Sequence, residues 1–164
     1  GRPFKGVLFA GLMITDDGPR LIEHNVRFGD PECQVLMMRL KSDMLEALLA
    51  CAEGRLNEIK LKWHDDAALA VVMASNGYPE AYEKGSVIKG IDKAEEIENT
   101  VVFHAGTDHE NDDLIATGGR VLGVCALAPT VAKAKTLAYR AVKKVDWPGG
   151  FYRTDIGWRA IKRK

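Results

Sequence analysis

Leu21-Ile22-Glu23-His24-Asn25-Val26-Arg27-Phe28-Gly29-Asp30-Pro31-Glu32 is the stretch on which the reading of this chain turns. From Leu21 to Phe28 polar and apolar residues alternate, the period of a β-strand. That puts Ile22, His24, Val26 and Phe28 on one face and Glu23, Asn25 and Arg27 on the other. Residues two apart on a strand stand about 6.5–7 Å from each other, so an acid, an amide and a guanidinium form a row. Carboxylate and amide oxygens are hard donors suited to Mg²⁺ shared with nucleotide phosphates. The guanidinium offers bidentate contacts to phosphate or carboxylate. Burying three such groups side by side is costly without ligands. The same alternation also suits an ordinary half-exposed strand with Glu23 and Arg27 as a surface pair, and the pattern alone leaves both readings open.

Upstream, Val7–Ile14 is a continuous apolar run, and Thr15-Asp16-Asp17-Gly18-Pro19 is turn chemistry. The two runs predict an antiparallel hairpin whose first strand is buried on both faces. Downstream, Gly29 breaks the strand. Asp30 as N-cap, Pro31 at the first helical position and Glu32 in the first turn predict a helix to about Leu40. Ser42 is placed to cap a second helix, with Leu45, Leu48, Leu49 and Ala52 on its apolar face and Gly54 as its stop.

Beyond residue 60 the sequence turns to short strands: Leu69–Ala74, Val87–Ile91, Val101–His104, Leu114–Thr117 and Arg120–Leu127. Asp92–Glu98 reads as an acidic linker and Asp108–Asp113 as a polar loop. Thr130 caps a helix with Val131, Ala134, Ala138, Ala141, Val142 and Val145 at helical spacing, and Trp147-Pro148-Gly149-Gly150 ends it. Tyr152 to Ile161 is expected to return as a last strand before the basic tail Lys162-Arg163-Lys164. The fold class is therefore α+β. Residues 1–58 form a hairpin plus helices, too small to bury a core alone. Residues 59–164 form a β-rich antiparallel domain with one main helix.

Composition limits the function. In 164 residues, 46% are hydrophobic and 28% charged, and 23 basic residues balance 23 acidic ones. That balance gives no case for nucleic acid or an anionic membrane as partner. Every apolar run is far short of the roughly 18 residues of a membrane span. Three cysteines, Cys33, Cys51 and Cys125, make neither a CxxC pair nor an even disulfide set, so reduced thiols and a cytoplasmic setting are expected.

Glu23-x-Asn25-x-Arg27 resembles the metal-binding signature on the last active-site strand of the ATP-grasp superfamily, and Leu21–Gln34 resembles its glycinamide ribonucleotide synthetase family in particular. Further blocks resemble that family in order along the chain: Pro3–Met13, Ala74–Pro79 with Tyr82–Gly85, Val102–Thr107, Gly118–Val124 and Tyr152–Gly157. The resemblance implies ligation of glycine to 5-phosphoribosylamine by an ATP-dependent carboxylate–amine ligase of purine biosynthesis, through an acyl phosphate. Glu23 and Asn25 would match the Mg²⁺ or Mn²⁺ ligands, and Arg27 the arginine facing the reacting phosphoryl or acyl group. Asp30 and Glu32 are weighed between helix-capping and dipole roles on one side and, on the other, binding an amine or ordering the metal site. The sequence departs from the family pattern at Cys33 and Cys125, where threonine is expected. It also lacks the amino-terminal substrate domain, the lid and the adenine-binding segment. These 164 residues alone are accordingly expected to be inactive, with the rest of the enzyme as partner. Another ATP-grasp carboxylase or ligase, and a non-catalytic docking module, are the alternatives.

Other signals are weaker. Gly118-Gly119-Arg120 precedes a strand rather than a helix and reads as a tight turn, not a phosphate loop. His104, His109, Asp112 and Asp113 match no standard ligand spacing. Trp63, Trp147 and Trp158 read as packing residues.

Overall fold

The computed structural model describes residues 1–162, so Arg163 and Lys164 of the expected basic tail lie outside the described residues. The chain divides into two compact units. One comprises Gly1–Cys33 with Leu40–His64, the other Gln34–Arg39 with the chain from Asp65 onward.

The first unit opens with the hairpin β1 (Phe9–Thr15) and β2 (Gly18–Asn25), paired antiparallel from Phe9↔Asn25 to Thr15↔Gly18. The turn chemistry at 15–19 places it as expected, and Thr15 Oγ1 donates to Gly18 O (2.8 Å). Two details differ from the expectation. β2 ends at Asn25 rather than Phe28, and the register shifts between Gly11 and Leu12, leaving Ile22 as a bulged residue. An extra residue changes the phase of alternation. Leu21, not Ile22, therefore shares a face with His24, and opposite them stand Ala10 and Leu12. Nor is β1 buried on both faces: Leu12, Met13 and Ile14 are exposed, because the sheet has only two strands among the described residues.

The helix α1 (Glu32–Arg39) follows, with Cys33 N donating to Gly29 O (2.9 Å). Pro31 sits just ahead of the first helical residue. In α2 (Met44–Glu53) the cap is Asp43, whose carboxylate accepts from Leu45 N (2.7 Å) and Glu46 N (3.4 Å). Ser42, the expected cap, instead accepts from Lys62 N through its hydroxyl (2.7 Å). Gly54 ends α2 in the left-handed conformation (φ 77°), as its position predicts. The expected apolar face of α2 is not the buried one. Ala47 and Ala50 are buried, while Leu45, Leu48, Leu49 and Ala52 are exposed. Lys5 Nζ donates to Ala52 O (3.0 Å), placing a cation at the C-terminal turn where the helix dipole favours one.

The second unit is built on the antiparallel sheet β5-β8-β3-β9: β5 (Thr100–His104), β8 (Arg120–Ala128), β3 (Ala67–Ser75) and β9 (Gly150–Tyr152). A second sheet runs β4 (Val87–Ile88), β7 (Asp113–Ala116), β6 (Thr107–Glu110). The presumed polar loop 108–113 is thus a hairpin, and Asn111 and Asp112 take the positive φ its tight turn requires. The acidic linker is largely the short helix α3 (Ile91–Glu95), which begins at the residue where the expected strand Val87–Ile91 was to end; only Val87–Ile88 of that strand is extended.

α4 (Val131–Val142) is capped by Thr130, whose Oγ1 accepts from Lys133 N (3.2 Å). It packs on β3 and β8 through Ala134, Ala138, Ala141 and Val142. Alanine at the contact positions lets the helix lie close to the sheet, and Val71, Val121, Leu122 and Val124 fill the space beneath. Of the three tryptophans only Trp147 is core, its indole donating to Ser86 Oγ (2.9 Å) and lying on Gly150; Trp63 and Trp158 are largely exposed. The last expected strand is a correction. Only Gly150–Tyr152 is extended, and after Gly157 (φ 79°) the chain forms the helix α5 (Trp158–Lys162).

Candidate functional site

The pairing Gly11↔Glu23 and Phe9↔Asn25 puts Glu23 and Asn25 on one face at the end of β2, so the structure brings these two candidates together. Gly11 is the feature the sequence reading missed. A Cβ there would come within 3.1 Å of Glu23 Cγ, so the glycine leaves the acid its room. A glycine inside a strand is itself the signal that could have found it. Glu23 is exposed and Asn25 half-buried. An exposed carboxylate and a half-buried amide oxygen on one face suit a hard divalent cation whose other ligands come from phosphate oxygens. Among the described residues no group of three or more His, Cys, Asp and Glu side chains could hold a metal alone.

Arg27 lies beyond the end of β2, in a bend, so it does not continue the strand row as the alternation suggested. It is exposed, and its Nη1 donates to Phe28 O (3.1 Å), which fixes the guanidinium against the following backbone. Glu32 folds back over Gly29: a Cβ on Gly29 would lie 2.7 Å from Glu32 Cδ. The carboxylate thus sits at the start of α1, where a negative charge is favoured. Asp30 is exposed, and its charge, after desolvation, helps push the neighbouring Cys33 thiol up from its ordinary value.

The motif blocks Ala74–Pro79, Tyr82–Gly85 and Gly118–Val124 meet within the second unit. Ser75 N donates to Gly119 O (2.9 Å) and Ser75 Oγ to Gly118 O (2.8 Å). Asn76 N donates to Gly149 O (2.9 Å), and Asn76 Nδ2 to Pro148 O (3.2 Å). Arg120 Nε donates to the Tyr78 hydroxyl (3.2 Å), and the Tyr78 and Tyr82 rings meet edge to face at 6.2 Å over Gly119. Gly118-Gly119 is thus a packing turn, with no helix N-terminus behind it. His104 Nδ1 is 3.0 Å from Thr107 Oγ1, a local pair across the β5–β6 turn.

Comparison with known proteins places this arrangement. Residues 1–33, which carry the hairpin, Glu23, Asn25 and Arg27, match the family described as phosphoribosylglycinamide synthetase, ATP-grasp (A) domain. Residues 68–159 match phosphoribosylglycinamide synthetase, C domain. The chain belongs to the phosphoribosylglycinamide synthetase family. It is 58% identical over 164 residues to the phosphoribosylamine–glycine ligase of Brucella melitensis, and 60% identical over 164 residues to that of Rhizobium meliloti. In both cases the whole chain is matched and 38% of the relative is covered. A chloroplastic ligase of Arabidopsis thaliana is 56% identical over 168 residues, with 32% of it covered. The chain thus spans about a third of the length of the curated relatives it matches. A crystal structure of the Thermotoga maritima ligase superposes with a TM-score of 0.78 at 34% identity, covering 90% of this chain and 36% of that one. Among the described residues no helix is long and apolar enough to cross a membrane.

Proposed function

We propose that this chain supplies the metal-binding strand and the C domain of a ligase that joins glycine to 5-phosphoribosylamine with ATP, giving glycinamide ribonucleotide, ADP and phosphate. The observation that carries the reading is the shared face of Glu23 and Asn25 opposite Gly11. Glu23 and Asn25 would hold Mg²⁺ or Mn²⁺ together with the phosphates of ATP. Such an ion, when bound, offsets phosphate charge. Arg27, steadied by Phe28 O, would present positive charge to the transferring phosphoryl group of the glycyl phosphate step. Asp30 and Glu32, just past the strand, would face the amine of a substrate. The remaining length of such a ligase provides the rest of the nucleotide site, and a reducing, cytoplasmic setting suits three free thiols.

The test is a chimera in which these 164 residues replace the matching segment of the Brucella melitensis ligase. Phosphate release is expected to require ATP, glycine and phosphoribosylamine together. Glu23→Ala or Asn25→Ala should each lower kcat/KM by about 100-fold, or roughly 2.7 kcal/mol. A folded chimera that binds nucleotide yet releases no phosphate would sink the proposal.

A further inference from the structure

Two of the sequence blocks, Leu21–Gln34 and Gly118–Val124, meet at a point the ligase reading does not use. Gln34 closes the first block, and Gly123 lies inside the second. Gly123 is interior to β8, flanked by Val72 of β3 and Phe103 of β5. A glycine inside a strand weakens it and often marks the close approach of another element. Here that element is α1. A Cβ on Gly123 would meet Gln34 Cγ and Nε2, each at 3.9 Å, and Phe103 Cβ at 3.8 Å. The Gln34 side chain therefore lies across the bare glycine, and its Oε1 is shielded from solvent. Both residues belong to the second unit, which takes in Gln34–Arg39.

We propose that Gln34 is a positioning residue for Arg27: its seat on Gly123 fixes the start of α1, and with it the bend that carries the guanidinium. The path is short. Gln34 follows Cys33, whose N–H donates to Gly29 O (2.9 Å), and Arg27 Nη1 donates to Phe28 O (3.1 Å). Shifting the first turn of α1 shifts Gly29 and Phe28, and the guanidinium is tied to that backbone. Glu23 and Asn25 are held differently, inside β2 by their pairing with Gly11 and Phe9. Loosening the seat should therefore disturb Arg27 and spare the metal pair. The assignment rests on the ligase reading, with Arg27 at the transferring phosphoryl group. A displacement of about 1 Å at such a group is enough to lower a rate by up to about 100-fold.

The test uses the Brucella chimera and reads kcat for phosphate release, KM for ATP and nucleotide-dependent Mn²⁺ binding. Gly123→Leu, whose side chain reaches past its Cβ into the space Gln34 fills, should lower kcat by about tenfold and leave the other two unchanged. Gly123→Ala, whose Cβ makes only ordinary contacts, should match the parent in all three. Gln34→Ala adds no bulk to the sheet and should also lower kcat alone, which keeps the proposal testable should Gly123→Leu fail to fold. Combining Gln34→Ala with Gly123→Leu lets the leucine fill the vacated seat, so the double variant should be faster than either single one. Parent kcat in Gln34→Ala overturns the positioning role and leaves the ligase reading standing. Additive losses in the double variant, or loss of Mn²⁺ binding in step with kcat, overturn it too. A parent chimera without turnover removes the ligase reading and this role with it.

Discussion

Cys125 is fully buried in β8, and burial alone pushes its thiol up to about 12 from the ordinary 9.0. Two outcomes follow at this scale. A thiol reagent at about pH 8 should label Cys33 and Cys51, both half-buried, before Cys125, which should react only when the second unit opens. The raised native value also means that the folded chain holds this proton after the unfolded chain has lost it. The stabilisation is complete below about pH 9 and drains by up to ~1.4 kcal/mol per pH unit as pH climbs toward 12. A Cys125→Val chain should show a shallower alkaline loss in urea melts. Gly119 gives a steric counterpart. A Cβ there would stand 2.7 Å from Tyr78 Cε2 and 3.1 Å from Tyr82 Cε1. Gly119→Ala should therefore cost about 1–3 kcal/mol by forcing the tyrosine pair off Gly119 and straining the Arg120–Tyr78 bond, read as a lower urea midpoint. The alternation made Glu23 and Asn25 legible as neighbours on one strand face, with Arg27 expected to extend the row. Their geometry was less so, because the bulge at Ile22 and the end of β2 at Asn25 leave no mark on polarity.

Elements differ in how openly the sequence declares them. α4 was legible in its cap and its face: Thr130 caps it, and Ala134, Ala138, Ala141 and Val142 of the expected stripe are buried against the sheet, but the helix ends at Val142, before Val145 and the expected stop at Trp147-Pro148-Gly149-Gly150. α2 was legible in its extent and misleading in its face. Leucine marks what could be buried, while in this unit the small Ala47 and Ala50 make the close approach. The final segment failed for a different reason. Its polar turn Arg153-Thr154-Asp155 is held outside the sheet by Tyr139 of α4, whose hydroxyl donates to Arg153 O (2.5 Å) and accepts from Ile156 N (3.3 Å). That tie redirects the chain into α5, and nothing local in 152–161 announces it. Tyr139→Phe should lose about 1–2 kcal/mol and raise amide exchange selectively at 153–157. Uniform destabilisation without that local signature would assign Tyr139 to packing alone.

At the scale of the molecule, the two units carry unequal cores. The second holds a continuous cluster from Leu69 to Trp147; buried apolar side chains in the first reduce to Ala47 and Ala50. Hydrogen exchange should therefore protect β3 and β8 far more than β1, β2 and α2, since local opening costs little where few contacts are lost. Comparable protection across both units would contradict this reading. The strand that carries the proposed chemistry thus belongs to the less buried unit.

The most direct measurement is Mn²⁺ binding, followed by electron paramagnetic resonance, to the Brucella chimera in the presence of ADP. Binding should be nucleotide-dependent, and Glu23→Ala or Asn25→Ala should each weaken it by about tenfold or more, while Val26→Ala leaves it unchanged. Equal Mn²⁺ affinity in the parent chimera, Glu23→Ala and Asn25→Ala would contradict the account.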